Sequence, residues 1–416
     1  MPTPLTVGLA IGAGADNGML NIQETHRPRG IALLRLGFRP FFLGAGGYAI
    51  LSISVWMAIL VSDAAPALMN LPPIIWHAHE MLFGYGVAVI AGFLLTAIKN
   101  WTGQPTIRGR GLLLMFTLWL VARVLPLTGL DLPLAVMAVF DMLFMLMLVV
   151  AAAFPVLKAK QYSQLGIISK LVLMSLSNGL FYLGALGLVE EGIRWGLYSG
   201  LYMILALLLV MARRVIPFFI EKGTDAGVKV RNWKWVDNTS LVLLLLLWII
   251  DVFTDYQTAA SMVAFVLFVV HAIRMGGWYT HGLWNKPLLW VLYVAYAFIV
   301  SGFLLKAAEL WFTILPSLYV HALAYGGIGI MTIGMMSRVI LGHTGRNVFE
   351  PPAILSWCFA LMVSGAVVRV LFPLFGMDQY DLWIVASQLL WIAAFLLFMT
   401  VYMPMLLKTR LDGRDG

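Results

Sequence analysis

The stretch Trp76–Ile98, WHAHEMLFGYGVAVIAGFLLTAI, decides how the rest of the chain is read. At about 1.5 Å per residue this run is long enough, as a helix, to cross a hydrocarbon core ~30 Å thick. It carries His77, His79 and Glu80 at its mouth. On an α-helix, residues two apart point about 200° apart and residues three apart share a face. His77 and Glu80 are therefore expected to look one way and His79 the other, so that one helix serves two sites. The alternative is that all three sit in the headgroup layer beside an interfacial Trp76.

Hydrophobic residues make up 62% of the 416 residues and charged ones 11%, with a mean hydropathy of +0.93. A soluble globule is nearer ~45–50% apolar and ~25% charged, so the composition is that of a polytopic membrane protein. Long apolar runs, not ten-residue alternations, make the expected fold all-α, a helical bundle and not a barrel. A single cysteine, Cys358, excludes an intramolecular disulfide, a CxxC zinc site and a CxxCH haem attachment. Any haem is then non-covalent. The N-terminus has no cleavable signal pattern, and targeting is expected to rest on the first spanning helix. No nucleotide-binding loop, catalytic Ser triad or nucleic-acid platform stands out.

Residues 1–36 read as a cytoplasmic tail, 37–407 as one transmembrane domain and 408–416 as a second cytoplasmic tail. Twelve spans are expected, at 38–61, 76–98, 111–125, 132–157, 166–188, 194–220, 239–255, 259–279, 288–310, 314–341, 353–373 and 382–407. Lys and Arg fall in alternate loops. One side holds Arg27, Arg29, Arg35 and Arg39, then Lys99 to Arg110, Lys158 and Lys160, Arg213 to Lys234, Arg274 and Lys286, Arg338 and Arg346, and Lys408 to Arg414. The positive-inside rule makes that side cytoplasmic and puts both termini inside. The net charge of +8 follows from this bias and from attraction to anionic lipid, with no nucleic acid partner needed. The other side holds Arg123, Arg194, Lys306 and Arg369 among acids such as Asp63, Glu190, Asp251 and Asp378.

This topology puts His77, His79 and His321 at one depth near the outer face. Glu80 and Glu309 are expected near the same level, with Asp141 deeper and Tyr198 and Tyr202 close by. His271 is nearer the inner face. A shift of 242 residues lays His79 on His321, Gly84 on Gly326, Ile98 on Ile340 and Thr102-Gly103 on Thr344-Gly345. A shift of 124 lays Met211, Arg214, Val215 and Ile216 on Met335, Arg338, Val339 and Ile340. The second, sixth and tenth spans thus read as equivalent helices of three parallel four-helix units.

RPFF at 39–42, WHAHEMLFGYG at 76–86, RRVIPFF at 213–219, PLLW at 287–290 and HALAYGGIGIMTIGMMSRVILGHTGR at 321–346 together resemble the NnrS family of bacterial inner-membrane proteins. The resemblance spans nearly the whole chain after residue 30. It implies twelve helices, a link to denitrification and nitric oxide stress, haem, and copper. The matching positions are His77, His79, Glu80, His321, Arg338 and His343. Where many family members carry a His, this chain has Tyr293. A more distant analogy is to the haem–copper oxidase and nitric oxide reductase subunit, with twelve helices in three arcs and metal-binding His on the second and tenth. Its sixth and seventh helices also supply ligands, and here those spans contain no His.

Neutral imidazole suits iron and copper, and haem iron takes one or two axial His. His79 and His321 are read as haem b ligands by pseudo-symmetry, with His77 and Glu80 completing a second site for copper or non-haem iron. Carboxylates at Glu80 or Glu309 would deliver protons. The competing account makes all of these polar groups that hydrogen-bond across the bundle. Arg338 and His343 lie on the cytoplasmic side and belong to a second, inner haem or its propionates, or to lipid headgroups; His271 is a lone inner candidate. The leading function is a haem protein that reduces or scavenges nitric oxide with electrons from quinol or another donor. The alternatives are a transporter of a small molecule or metal, and a non-catalytic haem sensor.

Overall fold

The computed structural model describes residues 31–62, 68–224 and 227–412. Asp63, His26, Arg27, Arg29 and Arg414, with most of the expected N-terminal tail and the last four residues of the C-terminal one, lie outside the described residues. The described chain is all-helical, with no strand. Twelve helices are long and apolar enough to cross a membrane: α1 (Phe38–Val61), α2 (Pro73–Thr102), α3 (Arg110–Leu127), α4 (Leu134–Lys158), α5 (Tyr162–Ala185), α6 (Gly192–Gly223), α7 (Lys234–Phe253), α8 (Gln257–Trp278), α9 (Pro287–Ala308), α10 (Pro316–His343), α11 (Ile354–Leu374) and α12 (Met377–Leu407).

Local chemistry sets the ends. Pro73, Pro287 and Pro316 open α2, α9 and α10, where a missing N–H is harmless and φ is already helical. Gly103, at φ 65°, closes α2 in the left-handed conformation that terminates helices. The buried Arg39 guanidinium donates to the carbonyls of Leu406 and Lys408, both at 2.7 Å, and so satisfies the C-terminal end of α12 from the start of α1.

Most spans pack on their neighbours in sequence, and α12 returns against α1 to close the ring. Within it α2, α6, α9 and α10 are mostly buried, while the remaining spans are less than half buried. Residues such as Leu146, Phe154, Leu176 and Val242 face outward, as an apolar surface in lipid requires. The second helix of each four-helix unit, α2, α6 and α10, meets the other two around a small apolar cavity of about 80 Å³, lined by Ile90, Leu207, Met211, Met331 and Met335 among others.

Helices α5 and α6 make the most intimate contact, along Gly192 and Gly196, four residues apart on α6, against Gly184 and Phe181 of α5. A Cβ on Gly196 would lie 2.5 Å from the Phe181 backbone nitrogen, so the backbones touch because nothing stands between them. Gly196→Leu is expected to prise the pair apart and destabilise the protein by about 1–3 kcal/mol or more. Thermal unfolding in detergent checks this; an unchanged midpoint would contradict it.

Two spans are not plain α-helices. In α2 a short α-helix, Pro73–His79, gives way to a π-helical segment, Glu80–Gly86, before α-geometry resumes at Val87. In α10 the same order recurs: α at Pro316–His321, π at Ala322–Gly329, α from Ile330. His79 and His321 each end the first α-segment, so the 242-residue shift has a conformational counterpart. Helix α6 is α-helical throughout and has no such segment.

Candidate functional site

On one side of α2 lies a fully buried ionic network drawn from the first five spans. Arg123, on α3, sits 3.0 Å from Glu80 Oε2 and 2.7 Å from Asp141 Oδ1 on α4. The Tyr48 hydroxyl, on α1, donates to Glu80. Asp141 Oδ2 accepts from Asn178 Nδ2 at 2.9 Å and from the Tyr182 hydroxyl at 3.0 Å, both on α5. His79 completes the set, with Nδ1 3.0 Å from Glu80 Oε1 and Nε2 2.9 Å from Asn178 Oδ1. Because the Asn178 amide nitrogen is committed to Asp141, its oxygen faces the imidazole, and Nε2–H donates to it. Neither ring nitrogen of His79 is left for a metal.

Gly84 makes room for this cluster. A Cβ there would lie 2.8 Å from Glu80 Oε2 and 2.9 Å from Arg123 Nη1. Its carbonyl accepts from Trp119 Nε1 at 3.0 Å.

The other side of α2 faces a cavity of about 350 Å³, within the ~300–1,000 Å³ typical of ligand sites. Its walls come from α1, α2, α10, α11 and α12. They include His77, Tyr85, His321, Arg369, Tyr380 and Gln388, with Trp56, Met81, Ile328 and Trp391 supplying apolar surface. The His77 ring stacks on Trp56 at 4.9 Å and 9°, and its buried Nδ1 has no hydrogen-bond partner among the described residues. His321 Nδ1–H donates to the Ser317 carbonyl at 2.6 Å. That bond fixes the tautomer and leaves Nε2 with its lone pair, the arrangement found for metal-ligating histidines.

The structure thus pairs the sequence candidates differently from the expectation. His77 and His321 share the cavity; His79 does not line it and keeps company with Glu80. Helical-face arithmetic puts Glu80 beside His77, but an ion pair in an apolar interior outweighs that proximity, and Arg123 and Tyr48 draw the carboxylate to the His79 side. His77, His79, Glu80 and His321 therefore do not gather as one metal set. Among the described residues no three His, Cys, Asp or Glu side chains are placed to hold a metal ion.

The remaining candidates are dispersed. Glu309 Oε2 pairs with Lys306 at 2.9 Å, and Lys306 with Asp251 at 2.9 Å, while Tyr202 donates to Asp251 at 2.8 Å. Glu309 Oε1 is buried without a hydrogen-bond partner among the described residues. Arg338 and His343 lie at the far end of α10, about 25 Å along the axis from His321 for Arg338. The Arg338 guanidinium sits 3.7 Å above the Phe219 ring, beside a crevice of about 10 Å³, room for about one water and not for a porphyrin. His343 packs on Phe38. His271 bonds Tyr296 at 2.5 Å and stacks on Phe303. The Tyr293 hydroxyl donates to the Met275 carbonyl at 3.1 Å.

Arg123, Arg369, Asn178, Tyr182, Tyr380 and Gln388 were not among the sequence candidates. A signal for two of them is present in the chain. RVLPLTGLD at 123–131 and RVLFPLFGMD at 369–378 are near-copies, and each places its Arg at the last turn of a span, before a Pro-containing turn.

No curated protein matches the chain. The model of the NnrS protein family matches residues 32–410, which takes in all twelve spans, both π-segments, the ionic network and the cavity. The chain belongs to the NnrS protein family.

Proposed function

We propose that this NnrS-family membrane protein binds haem b non-covalently in the cavity between α2 and α10, and that it binds nitric oxide there and reduces or detoxifies it. One observation carries the reading: His321 Nε2 is tautomerically free on a cavity whose wall also carries His77. Haem supplies an iron that takes nitric oxide and passes single electrons. The residues do the rest. The Ser317 carbonyl holds the His321 ring in one orientation, Trp56 holds His77, and the apolar lining keeps bulk water out. Electrons come from quinol or another donor. The alternation of Lys and Arg along the chain supports an inner-membrane orientation with both termini cytoplasmic.

The test is the ultraviolet–visible spectrum of purified protein, oxidised, reduced, and reduced under nitric oxide, with iron analysis. A b-type spectrum shifted by nitric oxide is expected. A protein that stays colourless and iron-free after expression with ample haem would overturn the proposal.

A further inference from the structure

The ionic network and the cavity are the same place in two copies of one unit. The 242-residue shift takes His79 to His321 and Glu80 to Ala322. The paired stretches take Arg123 to Arg369, and beyond Pro126 and Pro373 the register becomes 247, which takes Asp141 to Gln388 and Phe144 to Trp391. In the first unit His79, Arg123 and Asp141 converge. In the third, His321, Arg369 and Gln388 line one cavity.

What differs is charge. The third unit keeps the cation and has lost both carboxylates, since Glu80 is replaced by Ala322 and Asp141 by Gln388. Arg369 is only 7% exposed, and no carboxylate among the described residues lies within 4.0 Å of it. Among the described residues its Nη1 has no hydrogen-bond partner, nor has the buried acceptor Oε1 of Gln388. Its polar neighbour is Tyr380, to whose side chain it hydrogen-bonds and whose ring centroid lies 5.4 Å from the guanidinium, a neutral partner and not an anion. A guanidinium within a membrane-spanning bundle calls for an anion. Where the first unit supplies two of its own, the third has an open volume.

We propose that the ligand of this cavity carries a carboxylate, and that Arg369 receives it, the ligand filling the role that Glu80 and Asp141 fill for Arg123. The inference rests on reading the cavity as a ligand site; porphyrin propionates and a small free carboxylate are the two sources of that chemistry. Arg369 is a binding residue, distinct from the His77 and His321 pair.

The experiment titrates purified apo-protein with haem and with haem dimethyl ester, whose propionates are neutral, following the Soret band and tryptophan quenching. The diacid is expected to bind about tenfold or more tightly than the ester. Arg369→Gln should abolish that preference and leave ester affinity unchanged. Gln388→Glu, which restores the first unit's carboxylate, should also weaken the diacid, and should raise the melting temperature of the apo-protein by giving Arg369 an internal partner. That second variant separates the inference from a folding defect. Equal affinity for diacid and ester, or a preference indifferent to both variants, overturns the proposal while leaving haem binding intact. If neither porphyrin binds, the probes are succinate and benzoate in a thermal-shift assay. Stabilisation that depends on Arg369 then upholds a carboxylate ligand and removes the haem reading, and no stabilisation overturns the inference.

Discussion

Purified His321→Ala is expected to carry almost no haem, while His79→Ala, where it folds, keeps it. Loss of partners behind a metal ligand typically lowers metal affinity by about 10–100-fold, and loss of the ligand itself should do more. The contrast arises because His321 presents a free Nε2 to the cavity, whereas both nitrogens of His79 are committed to Glu80 and Asn178. His77→Ala is expected to change the spectrum as well, because the ring lines the same cavity with an unpartnered Nδ1. Haem-to-protein ratios of the three variants, measured on monodisperse material, decide the matter. Haem lost from His79→Ala and retained in His321→Ala would reverse the assignment.

Arg123→Met should be the most destabilising single change in the first unit. Arg123 is the cation between two buried carboxylates, at 3.0 Å from Glu80 and 2.7 Å from Asp141. Removing one partner of a buried pair leaves an uncompensated charge and typically costs about 3–5 kcal/mol. Combining Arg123→Met with Asp141→Asn should recover part of that loss, since the second change removes one of the stranded charges. Thermal unfolding of the two single variants and the double variant checks the coupling. A loss for Arg123→Met below about 0.5 kcal/mol, the range of ordinary surface substitutions, would contradict the account of the network.

The membrane fold is legible in the chain because lipid imposes one rule, that backbone polar groups be satisfied within each segment. Expected spans and observed helices agree to within about five residues. The largest shifts at a start, five residues, are in α7 and α12; α7 begins at Lys234 and not at residue 239 because Trp233 to Asp237 form an interfacial first turn too polar to be counted as apolar. The inward placement of the histidines on α2 and α10 is legible for a similar reason, since imidazole beside lipid is costly without a partner.

The pairing of those histidines is not legible from one helix at a time. Whether Glu80 keeps company with His77 or His79 depends on Arg123, Asp141 and Tyr48, which come from other spans. The repeat relates His79 to His321 without bringing them to one place. Equivalent residues of parallel repeats face equivalent places within their own units, so His79 and His321 look into the network and the cavity respectively, and not at each other. The inner candidates Arg338 and His343 read as a site because Arg and His often meet propionates. The structure gives Arg338 the face of Phe219, an interaction that pattern alone does not foresee.

The most direct measurement is a cryo-electron-microscopy map of the haem-loaded protein in detergent or nanodisc. The account predicts macrocycle density in the cavity bounded by α1, α2, α10, α11 and α12, continuous with the His321 ring and adjacent to His77 and Arg369. Macrocycle density against His79 in the first unit, or near Arg338 and His343 with the cavity empty, would contradict it.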